Sequence, residues 1–211
     1  MPNFEAAYDA AINAVLAANT NAKGVVANIP DVTSIPFFRT VPYNPVPLDQ
    51  ASADMLNSSA AFGGYNAALD GLKNPAFGGA FGTAEQLDAR KITFTVGAGN
   101  RLVISDESVM NLAAGFDALE TAGAITPEQR DALVPYEQVR QSTPNDLIVL
   151  PAAAFIGTLV GGNPLLINGV SVPLSDQWVI IPSERTEIQA RVAAFNAKIA
   201  AVVSANSSRL V

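Results

Sequence analysis

The sequence predicts an α/β protein with a mostly parallel sheet and inserted β-hairpins, and three observations predict it. An amphipathic helical pattern at the N-terminus runs into a near-continuous apolar run of Val25, Val26, Ala27 and Ile29. A second helical pattern near the C-terminus is followed by a short turn and the apolar pair Leu210-Val211. Between them lie another apolar run at 147–150 and the turn signals of hairpins. Strands covered on both faces read as unbroken apolar runs, whereas hairpin strands alternate.

In order, Asn3 is an N-cap residue, and Phe4, Tyr8, Ala11 and Val15, with Ile12 and Leu16, recur at helical spacing until Asn-Thr-Asn at 19–21. Pro36, Pro42, Pro45 and Pro47 hold the next segment extended, since each fixes its own φ and disfavours helix in the residue before it. Asp49 opens an Ala-rich helix with Met55, Phe62, Leu69 and Leu72 along one side, weakened at Gly63-Gly64 and closed by Asn74-Pro75. Residues 75–82, "PAFGGAFG", read as a loop. Ile92 to Val96 alternates, "GAGN" turns and Leu102 to Ile104 returns, which is a β-hairpin pattern. Thr126-Pro127-Glu128-Gln129 is a capping box with Pro at the first helical position. Asn168-Gly169, between apolar runs at 165–167 and 170–172, predicts a type I′ hairpin. Ser183 caps a last helix whose Ile188, Val192, Phe195, Ile199 and Val202 define one narrow face. The chain reads as a single domain, 1–211, with a hairpin-rich insertion at 75–172.

A chain of 211 residues buries a sizeable core without metal or disulfide staples. Nineteen acidic against twelve basic residues give a net charge of −7, and no Lys/Arg cluster offers a nucleic-acid footprint. The absence of Cys excludes disulfides, thiol catalysis and thiolate metal sites; the absence of His removes the commonest general base and metal ligand. No cofactor motif is found: "VGAGNR" at 96–101 lacks the helix N-terminus that a dinucleotide loop needs. The first residues show neither a basic n-region nor an apolar h-region, so no signal peptide is expected in them, and the compartment stays open. Residues 147–175 are uncharged, yet Pro151, Gly157, Gly161-Gly162 and Pro164 interrupt them, so no membrane-spanning helix is expected.

Candidate chemistry is sparse. Ser105-Asp106-Glu107-Ser108 offers too few oxygens for Ca²⁺ and reads as a solvated turn and helix cap. Ser34, Ser58 and Ser59 are nucleophiles by residue type alone, and Lys73 and Lys91 stand in no Ser-x-x-Lys arrangement. Asp31 lies just past a strand end, where α/β sheets bind ligands, and equally suits the cap of a turn. Phe37-Phe38 and Phe155-Ile156 fit a pocket lining or a core.

Three stretches carry a resemblance: "FEAAYDAAINAVLAANTNAKGVVANIPDVTSIPFFRTVPYNP", "DLIVLPAAAFIGTLVGGNPLLINGVSVPLSDQWVII" and "EIQARVAAFNAKIAAVVSAN". Together they resemble the middle portion of the Bacteroidetes-type SGNH/GDSL hydrolases, a family of lipase- and esterase-like serine hydrolases. The resemblance implies a partial three-layer α/β/α domain, SGNH-like and flavodoxin-like, and carboxylic-ester hydrolysis by serine attack, proton transfer through His and oxyanion stabilisation. The family's Ser, Gly, Asn and Asp-x-x-His blocks have no counterpart here. "GDS" does not occur, Gly99-Asn100 and Gly162-Asn163 lack the acidic residue that follows, and there is no His. No catalytic residue is carried over, and the chain reads as an internal segment, inactive alone. The resemblance places the loop at 29–38 where the ester sits, which makes Asp31, Val32, Thr33, Ser34, Ile35, Phe37 and Phe38 candidate contacts of an ester or lipid-like small molecule. The alternative is a non-catalytic binding domain that uses 29–47 or 147–175 on an apolar ligand or protein partner. A bare sheet edge would favour self-association.

Overall fold

A computed structural model describes residues 2–211, the side chain of Pro2 excepted. In chain order the α-helices are α1 (Pro2–Ala18), α2 (Gln50–Asn57), α3 (Phe62–Leu72), α4 (Ala84–Asp88), α5 (Ala113–Thr121), α6 (Pro127–Leu133) and α7 (Pro182–Ala205). The strands are short: β1 (Val46–Leu48), β2 (Gly97–Asn100), β3 (Val103–Ser105), β4 (Val139–Gln141), β5 (Leu147–Ile148) and β6 (Val179–Ile180). The chain divides into two compact units, Met1–Ile35 with Ser183–Val211, and Pro36–Pro182. This division lies further out than the segment 75–172 that the sequence marks as hairpin-rich.

The class is mixed α/β, but the expected mostly parallel sheet is corrected. Three two-stranded sheets pair β1 with β2, β3 with β4 and β5 with β6, all antiparallel. The apolar run at 147–150 shows why. Parallel strands need a long crossover, usually a helix, yet this run passes at once into a 3-10 turn, Leu150–Ala154, and takes its partner from the returning β6.

In the first unit, Gly24 and Leu210 form a parallel bridge. Gly24 donates to the Arg209 carbonyl at 2.9 Å, Val26 to that of Val211 at 2.8 Å, and Val211 returns a bond to Gly24 at 3.1 Å. On α1 the row Phe4, Tyr8, Ile12 and Leu16 turns inward at i, i+4 spacing, while Val15 is exposed. Leu16, Val202 and Leu210 form the buried centre, with Tyr8, Ile12, Val26 and Val203 against it. The Phe4 and Phe195 rings lie 4.2 Å apart, and Lys198 pairs with Asp9 at 2.6 Å. Arg209 donates to the carbonyls of Leu16 and Ala22, both at 3.0 Å, placing a cation at the C-terminal end of α1. Val25 is 85% exposed, so the run at 25–29 is not the strand covered on both faces that its composition predicts.

The second unit holds the larger core, with Tyr65, Leu69 and Leu72 of α3 packed among Leu87, Phe116, Leu119, Ile104, Ile148 and Leu174. The single helix expected from Asp49 is two. Asp49 caps α2 by accepting from the Ser52 amide at 2.8 Å, and the chain breaks before α3. A Cβ on Gly63 would lie 2.5 Å from the Asn57 carbonyl oxygen, so the close turn there admits only glycine. The Thr126/Gln129 capping box forms as read.

Neither predicted hairpin forms as drawn. "GAGN" is itself β2, which pairs with β1, while β3 pairs with β4. Residues 92–95 run extended with no strand beside them; instead four side-chain carboxamides make the ladder. Asn66 brackets Ile92, Gln141 brackets Thr93, Asn57 brackets Phe94 and Asn100 brackets Thr95, each donating to the residue's carbonyl and accepting from its amide. At Asn168-Gly169 a turn does form, with Val170 donating to Ile167 at 3.0 Å. Ile167, however, bridges Leu159, and Asn168 lacks the positive φ that type I′ requires.

Candidate functional site

The loop after the 24–26 run is held by side-chain hydrogen bonds from α7 and from within itself. Asn196 of α7 donates to the Ile29 carbonyl at 2.9 Å and accepts from its amide at 2.8 Å, as a neighbouring strand would. Asp31 then caps a 3-10 turn, Val32–Ser34, accepting from the Thr33 amide at 2.9 Å and the Thr33 hydroxyl at 2.6 Å. The Thr33 hydroxyl bond is the largest influence holding the Asp31 carboxyl below the usual range. The Thr33 amide, Gln189 and the charge of Arg185 lower it further, against a smaller upward push from burial. Arg185 and Gln189 sit at i, i+4 on α7, a spacing visible in the sequence once Asp31 is taken as their target.

Of the seven predicted contacts, five belong to the first unit. Thr33 is buried, and Asp31, Val32, Ser34 and Ile35 are exposed. Asp31 is the cap of the turn, and its carboxylate is exposed. Phe37 and Phe38 belong to the second unit, on a 3-10 turn Pro36–Phe38, with their rings edge to face at 4.9 Å. Phe38 packs against the large core and Phe37 is exposed.

The Ser34 hydroxyl donates to the Asp31 carbonyl at 2.7 Å. Lys73 and Lys91 both bind Asp70 and Asp88, and these bonds push both ammonium groups above the ordinary lysine range, which keeps them protonated. Neither serves as a base for serine.

Two charged clusters escaped the sequence reading. Asp106, expected in a solvated turn, is buried, where it accepts from the Ser108 amide and hydroxyl and pairs with Arg140. Burial pushes its carboxyl up most strongly, but the Ser108 and Arg140 interactions together outweigh burial and leave it below the usual range. Arg140 also grips the buried Asp146 through two bonds, at 2.8 and 2.7 Å. Arg90, itself buried, donates to the carbonyls of Val139, Met110 and Glu137 at 3.1, 2.6 and 2.7 Å. The available signal was an Arg directly after the apolar Val139, in a chain with few basic residues. An open hollow of about 250 Å³ lies beside Asp106, lined also by Glu107, Asn111, Glu137 and Asp176. Asp106 and Glu137 there already have arginine partners, and among the described residues no group of three or more Asp or Glu side chains could hold a metal ion.

What the 29–35 loop offers chemically is a fixed carboxylate and two exposed aliphatic side chains, Val32 and Ile35, on a short turn. No family model matches the chain, and no curated protein or solved structure matches it.

Proposed function

We propose that this chain is the substrate-side part of an SGNH/GDSL-type carboxylic-ester hydrolase, holding the ester while nucleophile and base come from residues outside these 211. The observation that supports this reading is the parallel pairing of 24–26 with 209–211, followed directly by the turn of Asp31. By the resemblance, the loop that follows this run is where the ester sits. Val32 and Ile35 supply apolar contact for an acyl or leaving group, and Asp31 is a positioning residue that holds the turn through Thr33. The reaction served is acyl transfer to a serine with proton transfer through a histidine.

The test is NMR titration of the ¹⁵N-labelled chain with an alkyl phosphonate diester, a non-reacting ester mimic for a chain without an activated serine. Amide shifts centred on Val32 and Ile35, with a Kd on the order of millimolar for a partial site, are expected, and Val32→Asp abolishes them. Shifts elsewhere, or none, would overturn the reading. So would p-nitrophenyl butyrate hydrolysis by the chain alone that disappears in Ser34→Ala, since the nucleophile would then lie inside it.

A further inference from the structure

We propose that the second unit carries a lipid-docking tip, the hairpin at 157–168, which seats it on the surface of a zwitterionic bilayer. This inference does not rest on the ester-hydrolase reading. Ten consecutive residues, 157–166, are exposed, and they include Leu159, Val160, Leu165 and Leu166 at 46, 40, 58 and 40%. Four aliphatic side chains bare to water at one tip are a local concentration that a soluble surface rarely tolerates without a partner.

Two properties point to hydrocarbon and headgroups rather than to a protein. The first is charge. The tip lies within 147–175, where 29 residues carry no ionisable side chain, although the 15% charged content of the whole chain would put about four there. A protein interface has a polar, often charged rim, whereas entry into a bilayer penalises every ionised group. The second is hydrogen bonding. Val160 donates to Leu166 at 2.8 Å, Asn163 to Val160 and Leu166 to Asn163 at 3.0 Å, and Leu165 to the Asn163 side chain at 2.9 Å. Pro164 has no N–H to satisfy. Asn168 donates to Thr158 at 3.0 Å and Gly157 to Asn168 at 2.9 Å, which closes the base. The amides of Leu159, Gly161 and Gly162 make no such bond, so the pairing of the others lowers the cost of entering an apolar phase without removing it. Gly161 and Gly162, with φ of +59° and +74°, allow the reversal that presents the leucines together. Among the described residues no helix is long and apolar enough to cross a membrane, so the contact is interfacial. The net charge of −7 sets the lipid class, since anionic headgroups repel an acidic chain while zwitterionic ones do not.

Flotation of the full chain with phosphatidylcholine vesicles tests this. The expected result is co-flotation that high salt leaves unchanged, because the contact is apolar. The double variant Leu165→Asp/Leu166→Asp should lower the bound fraction by about tenfold or more, with its thermal unfolding unaltered. Val160→Asp gives an independent variant should the double one misfold. Three results would overturn the proposal: no flotation, flotation equal in the variants, or binding that requires phosphatidylglycerol and disappears in salt. A concentration-dependent dimer in sedimentation equilibrium, broken by Leu165→Asp and without vesicle binding, would instead assign the tip to a second copy and overturn it equally.

Discussion

Ile92 and Phe94 are buried, and an unpaired peptide group in such a place costs about 1–3 kcal/mol, so the side chains that meet their amides and carbonyls decide whether the segment stays extended. Asn57 makes both bonds of Phe94, at 3.0 and 2.7 Å. Asn57→Ala is therefore expected to destabilise by about 2–4 kcal/mol, read as a lower urea midpoint with unchanged slope, whereas Asn13→Ala on the exposed face of α1 should stay within about 0.5 kcal/mol. The Asp106–Arg140–Asp146 cluster makes a pH prediction. The Asp106 carboxyl is depressed in the folded chain, so its stabilisation is complete above the unfolded value of about 4 and is lost as pH falls through the lower folded value. Asp106→Asn should cost about 3–5 kcal/mol at neutral pH and flatten the loss of stability below about pH 4, checked by urea melts at both pH values. Neither interaction was legible in the sequence. An asparagine or an aspartate looks the same there whether its partner is water, its own turn or a backbone arriving 37 residues away, as Phe94 does for Asn57.

At the scale of the element, two capping signals were read well, while Asn3 and Ser183, expected as caps, lie inside α1 and α7, and pairing partners were not legible. Thr126 with Gln129, and Asp49 with the Ser52 amide, are contacts within one helical turn, so neighbouring residues suffice to specify them. Thr126→Ala is expected to lower stability by about 1 kcal/mol, measurable as a reduced urea midpoint. The break between α2 and α3 was half legible. The glycines marked a weakness, but that they permit a 2.5 Å approach to the carbonyl of Asn57 is a fact of the folded turn. Gly63→Ala should cost about 1–3 kcal/mol by overpacking, more than its helix propensity would return, and thermal melts decide the sign. The alternating run at 92–96 forms no strand, and β2 found β1, 54 residues away at Val46 and Asn100, instead of the adjacent run. Register of that kind depends on which strand arrives with a free edge, which alternation does not encode.

The whole molecule has two compact units with very different cores. The first is centred on Leu16, Val202 and Leu210, and the second on a cluster spanning Val46 to Ile181. Few buried contacts mean low local opening energies, so amides of α1 and α7 should exchange with deuterium well before those of α3 and α5, which mass-detected exchange would resolve. Leu210→Ala should hasten exchange in the first unit while leaving α3 unchanged; equal acceleration throughout would show one cooperative unit instead. The sequence by itself determined α1, α6 and α7, the caps at Asp49 and Thr126, the mixed α/β class and the lack of any histidine-based or thiol chemistry, because these rest on residue type and on neighbours within about four positions. It also marked Asp31 as a cap and the 147–175 stretch as uncharged. Only the tertiary structure decided that the sheets are antiparallel pairs, that Asp106 is buried against Arg140, and that Leu159 and Leu165 are bare at a hairpin tip. Those outcomes depend on which backbone edge, counter-charge or apolar face reaches a residue first from afar, and competition among distant partners leaves no local trace in the order of amino acids.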